Sequence, residues 1–244
     1  MIKEVSKLTF AMYRSYLPES KKNKREILKL AQKHIDHLKP QIEEYFQEEL
    51  QDIEARDMNS FAKDVALSWG IENGFRLAKK EEKEINPNDI RISTNFYYAT
   101  LLPIQAYIQL RNITSTVYKH RSDAIYIPFG FSQRLGYRTD KNHFADLDYI
   151  VTHEIIHNIW DKKRKPHNAP YSLSKKIGEG YATATTDEFF QKHLQKPSPQ
   201  PKTHHYTYYK ESLLQATKEV GIQDVREVPK HVDEIKDAFA RALD

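Results

Sequence analysis

Within the stretch YIVTHEIIHNIWDKK, Tyr149 to Lys163, two histidines stand four residues apart with a glutamate beside the first: His153, Glu154 and His157. Residues i and i+4 share one face of an α-helix, one turn apart, so both imidazoles can address a single ion. A residue at i+1 projects about 100° away, close enough for the Glu154 carboxylate to reach a water on that ion. Two neutral nitrogen donors and an adjacent base are the beginning of a metal centre that activates water. The competing reading is a helix in which two of the chain's 11 histidines fall at this spacing by chance.

The surrounding residues bear on that choice. On a helical wheel of 146–161, Leu147, Ile150, Val151, Ile155, Ile156, Ile159 and Trp160 spread around most of the circumference. A helix that is apolar nearly all round is a buried one. Burying two imidazoles and a carboxylate without partners costs on the order of several kcal/mol, which a bound metal ion would offset. The pattern therefore favours a metal site over an incidental pair. The chain contains no cysteine, so its ligands must come from His, Asp or Glu.

A catalytic zinc site takes three protein ligands and keeps a fourth position open. HEIIH (His153 to His157), followed by GEGYATATTDEFF (Gly178 to Phe190), resembles the gluzincin branch of zinc metallopeptidases, the thermolysin-like enzymes. In that family a glutamate on a second helix completes the site, and the resemblance makes Glu179, 22 residues after His157, the third ligand. The small residues Gly178, Gly180, Ala182 and Ala184 would let the second helix approach the first closely. His167 and Asp187 are competing third ligands, and a glutamate near a helix N-terminus is also favoured by the helix dipole alone. The metzincin pattern does not fit, because Lys163 stands where its third ligand would be and Trp160 where its glycine would be. The chain also departs from the gluzincin pattern: several members carry an Asp four residues after the glutamate ligand, and here that position is Thr183. Asp187 is the candidate to hold His153 in its stead.

The resemblance implies a Zn²⁺ cofactor, hydrolysis of peptide bonds and Glu154 as general base. It also implies a Tyr or His donor for the developing oxyanion. The candidates for that donor are Tyr171, eight residues before Glu179, and the cluster HHYTYY, His204 to Tyr209. In these peptidases an edge strand lies above the site and pairs with the substrate backbone. AIYIPF, 124–129, is either that strand or a strand of a core hairpin.

The elements that must position these residues read as a predominantly α-helical α+β fold. Helices are expected over Lys24–Leu38, ended by Pro40, then from Ile42 to about Ile53 and from about Phe61 through Leu77. INPNDI, 85–90, reads as a turn or short linker, and Phe96–Leu110 as a helix that Pro103 kinks or divides. The β-branched NITSTVY and AIYIPFGF predict a small antiparallel hairpin, with Pro128 placing its strand at a sheet edge. The motif helix, about Asp146–Asp161, and a helix from about Lys176 to Leu194 follow. A Pro-rich connector at 195–203 leads to two closing helices, roughly Tyr208–Val220 and His231–Leu243. The organisation expected is a helical region over 1–110, serving as recognition subdomain or scaffold, and a zincin-like domain over 111–244.

A chain of 244 residues with 39% hydrophobic and 11% aromatic residues can bury a sizeable core. A net charge of +4 gives no argument for nucleic acid as a partner. No apolar run approaches a membrane span and the N-terminal residues do not form a signal-peptide core, because Arg14 interrupts them. The expectation is a soluble cytoplasmic protein acting on a protein or peptide substrate with narrow specificity, with signal-independent export of a toxin left open. The alternative is a non-catalytic helical interaction protein with a structural zinc.

Overall fold

A computed structural model describes residues 18–110, 117–119, 124–127, 142–198 and 204–243. Helix α1, Pro18–Phe46, carries an apolar stripe of Ile27, Ala31, Ile35, Leu38, Ile42 and Phe46, all buried. The stripe recurs every three or four residues on either side of Pro40. Pro40 therefore lies inside one continuous helix and does not end it, contrary to the sequence expectation. A proline in a helix interior costs about 3 kcal/mol. Burial of Leu38, Ile42 and Phe46 outweighs that cost, at about 1.5–3 kcal/mol for each large side chain. The Gln41 side-chain amide also donates to the His37 carbonyl at 2.8 Å, beside the backbone bond that Pro40 cannot make.

The remaining elements are β1 (Glu54–Asp57), α2 (Phe61–Glu81), α3 (Pro87–Leu110), β2 (Val117–Lys119), β3 (Ala124–Ile127), α4 (Asn142–Lys163), α5 (Tyr171–Glu188), α6 (His204–Val220) and α7 (Val232–Ala242). The fold is α+β and predominantly helical, as expected. The segment around 85–90 is in part a helix start: Pro87 takes the first helical position and the Asn86 side chain accepts from Asn88 N–H at 3.0 Å. Pro103 lies within α3, which stays one helix.

The chain forms two compact units, one of Met1–Ile35 with Gln51–His143 and one of Asp36–Leu50 with Phe144–Asp244. In the first, β3 pairs antiparallel with β2, giving the expected hairpin, and parallel with β1 on its other side, so the sheet is mixed, in the order β1-β3-β2. The edge position expected for AIYI is thereby corrected: both its edges are occupied and all four of its residues are buried. The described pairing with β1 runs to Ile127, and the expectation for Pro128 itself falls outside the described residues. Through these pairings β2 and β3 fall in the first unit with β1; the sequence expectation divided the chain at 110/111. Tyr126 sits edge-on to Phe61 at 5.2 Å in a core with Met58, Val65 and Leu101.

In the second unit α4 is buried over most of its circumference, with Leu147, Val151, Thr152, Ile155, Ile156, Asn158 and Ile159 at 0–1% exposure, while the face of Ile150, His153 and His157 is half-buried. Helix α5 lies close to both of its neighbours. A Cβ on Gly178 would come within 3.1 Å of the Trp160 indole nitrogen on α4, and one on Gly180 within 2.6 Å of the Tyr209 carbonyl oxygen on α6. Beyond Glu188 the helix widens into a π turn, Phe189–His193.

Candidate metal centre

The two histidines come from the middle of α4, where helical spacing stacks them one turn apart. Glu179 comes from α5, which Gly178 allows against Trp160 of α4. The loop joining the two helices is tied down at several points. Lys165 N–H donates to the Pro229 carbonyl at 3.2 Å and Asn168 N–H to the Asp233 carboxylate at 3.0 Å. His167 accepts from Ala169 N–H through Nδ1 at 3.2 Å, and its Nε2 lies 3.1 Å from Ser174 Oγ, which also accepts from Arg164. Both ring nitrogens of His167 are thus engaged in closing this loop, which accounts for a residue the sequence left open as a third ligand.

Three donor atoms converge. His153 Nε2 and His157 Nε2 are 3.1 Å apart, His157 Nε2 is 3.2 Å from Glu179 Oε2, and His153 Nε2 is 3.5 Å from the same oxygen. Four donors arranged tetrahedrally at the usual zinc distance of about 2.0–2.1 Å are separated from one another by roughly 3.3 Å. The observed triangle is one face of such a tetrahedron. The three side chains are 13%, 22% and 20% exposed, which leaves an approach from solvent. Among the described residues no other His, Asp or Glu joins the group. The donor set fits zinc, two imidazoles and one carboxylate with a place left over. Burial pushes the Glu179 carboxyl up, but its bonds and charge contacts with the two histidines prevail and hold it well below the usual carboxylate range.

Around the triad, Glu154 is 8% exposed on α4. Two tyrosines pack against His153. Tyr149, one turn earlier on α4, lies nearly parallel to the imidazole with ring centres 6.4 Å apart, and Tyr206 in the first turn of α6 meets it at 5.8 Å. Burial, and after it the charges of Glu179 and Glu154, push ionisation of the Tyr206 phenol far above the normal tyrosine range. Tyr206 belongs to the HHYTYY cluster that the sequence offered as an alternative to Tyr171. Tyr171 is the first residue of α5, is 84% exposed, and is separated from Glu179 by about 12 Å of helical rise. The structure does not bring it to the triad. Because α5 starts at Tyr171, Glu179 lies more than two turns inside the helix, beyond the reach of the dipole at its N-terminus.

Asp187 does not bond His153. One of its oxygens accepts from Ser198 Oγ and the other pairs with Lys210 Nζ at 2.9 Å. Thr183, at the position where some gluzincins have an Asp, turns its hydroxyl to the Glu179 carbonyl at 2.8 Å. His153 Nδ1 is buried and makes no hydrogen bond to the described residues. Tyr149 and Lys210 were not singled out in the sequence. The i−4 spacing from His153 could have found Tyr149, but no local signal joins Lys210 to Asp187.

Comparison with protein-family models, with curated proteins and with solved structures gives no match for this chain.

Proposed function

We propose that the protein is a zinc-dependent metallopeptidase of gluzincin type, with His153, His157 and Glu179 as metal ligands. The observation that carries this reading is the triangle of 3.1, 3.2 and 3.5 Å edges among two imidazole nitrogens and one carboxylate oxygen. A structural zinc has four protein donors, whereas three converge here among the described residues, which favours a catalytic site over a structural one. When bound, zinc would supply Lewis acidity to a substrate carbonyl and lower the pKa of a water.

The chain's own groups carry the remaining roles. Glu154 accepts the proton of the attacking water and returns it to the leaving amine, so the peptide C–N bond breaks without expelling an amide anion. His153 and His157 would offer their Nε2 atoms, and Glu179 its Oε2, as the donors that hold the metal. The Tyr206 phenol, kept protonated by burial and the two nearby carboxylates, is the O–H donor proposed for the developing oxyanion. The substrate is a protein or peptide. No described helix is long and apolar enough to cross a membrane, so a span plays no part in the proposal.

The test is metal analysis of the purified protein, together with mapping of new protein N-termini against a Glu154→Gln variant. About one zinc per chain and cleavages confined to the wild type are expected. A chain that takes up no metal, or identical N-termini in both samples, would overturn the reading.

A further inference from the structure

A histidine that ligates a metal is ordinarily oriented by a hydrogen bond on its other ring nitrogen. His153 has none among the described residues, although its Nδ1 is buried. Apart from His157 and Glu179, which its Nε2 faces, the rings packed against this imidazole are Tyr149 and Tyr206.

Both rings lead to the end of α5 that carries Asp187. Asp187 is 6% exposed and pairs with Lys210, which stands one helical turn after Tyr206 on α6. The Tyr149 ring packs on Phe190, three residues after Asp187, with ring centres 5.8 Å apart. Asp187 itself lies two turns beyond Glu179 on α5, and its second oxygen accepts from Ser198. A carboxylate buried to this degree needs its counter-charge, and such pairs often add little net stability over apolar residues of the same size. Specifying one geometry is the best-attested use of a buried pair.

We infer that Asp187 and Lys210 are a positioning pair for the metal centre. Their contact sets α6 against α5 and so holds the Tyr206 and Tyr149 rings on the His153 imidazole. The inference rests on the metal-centre reading. It assigns a task to residues that touch neither metal nor substrate.

Zinc affinity, measured by competition with a chromophoric chelator, and the visible spectrum of the cobalt(II)-loaded protein test it, because that spectrum responds to ligand geometry and not to global stability. Asp187→Asn and Lys210→Met are expected to weaken zinc binding by about tenfold or more, as loss of outer-shell support does. Both are also expected to alter the cobalt spectrum, while Lys210→Arg, which keeps the cation, retains both properties. If Asp187→Asn does not fold, the contrast between Lys210→Met and Lys210→Arg decides. Wild-type affinity and an unchanged cobalt spectrum in Lys210→Met would overturn the inference, whatever its melting temperature. A wild type that takes up neither metal removes the metal-centre reading and this inference with it, an outcome distinct from variants that match a metal-loaded wild type.

Discussion

His153 Nε2 and His157 Nε2 face each other across 3.1 Å, with Glu179 Oε2 within 3.5 Å of both. Two imidazole lone pairs cannot point at one another at this distance unless a proton or a cation lies between them. A ligand that binds only the folded state stabilises it by RT ln(1 + [L]/Kd), about 4 kcal/mol at a thousandfold excess over Kd. Zinc should therefore raise the wild-type melting temperature, and a chelator should remove the increase. His153→Ala and His157→Ala should show no zinc-dependent shift in parallel thermal melts. A full zinc shift in either variant would remove that histidine from the ligand set.

Glu154 lies outside the donor triangle, so neutralising it should leave the metal in place. Glu154→Gln is expected to bind zinc with wild-type stoichiometry while turnover falls about 10²- to 10⁴-fold, the usual contribution of a positioned general base. Metal analysis and single-substrate kinetics on one preparation separate the two effects. An empty site in the variant would assign Glu154 a structural role.

The convergence of His153 and His157 was legible in the sequence because helical geometry converts a four-residue spacing into a shared face, and the apolar residues around α4 predict the burial found on its other faces. Glu179 was legible through the resemblance, and the small residues beside it have the steric consequences expected. What escaped depends on partners distant in the chain. β1 is a charged tetrapeptide, Glu54–Asp57, with no apolar alternation, and it is a strand because buried β3 pairs with it. The same invisible partner turned an expected edge strand into a central one. Pro40 reads locally as a stop, yet the apolar stripe of α1 continues on both sides of it. Tyr206 and Lys210 reach their places only through packing of α6 on α5, a partner that the 17 residues of α6 do not name.

Gly178 and Gly180 face different neighbours, and alanine should distinguish them. At Gly180 the new methyl group would sit 2.6 Å from a backbone carbonyl oxygen of α6, which cannot move without shifting the helix. At Gly178 it would meet the Trp160 ring at 3.1–3.3 Å, where a small displacement suffices. Gly180→Ala is expected to destabilise by about 1–3 kcal/mol through overpacking. Gly178→Ala should lie nearer neutrality, since alanine gains about 1 kcal/mol over glycine in helix propensity. Urea midpoints of the two variants check the order.

The loop between the site helices should be sensitive to acid. Burial, and then the charge of Arg164, lowers the pKa of His167. A group whose pKa is lower in the folded chain stabilises the fold fully above its unfolded pKa of about 6.5 and loses that contribution as pH falls through the folded value. Wild-type stability should therefore fall more steeply than that of His167→Gln as pH is lowered from about 7 to about 5. Urea midpoints measured across this range give the two slopes, and parallel slopes would count against a neutral His167 holding the loop.

Tyr171 and Tyr206, the latter from the HHYTYY cluster, part company in the structure. Tyr206 packs on His153 at 5.8 Å and its ionisation is pushed upward by burial, whereas Tyr171 is 84% exposed at the start of α5. Removing one donor to an oxyanion costs about 10²- to 10³-fold in kcat. Tyr206→Phe keeps the ring that packs on His153 and deletes only the hydroxyl, so zinc affinity should stay and kcat should fall by that order with little change in KM. Tyr171→Phe should leave all three quantities at wild-type values. If the losses appear instead in Tyr171→Phe, the donor reaches the site from α5, and the role assigned to α6 is wrong.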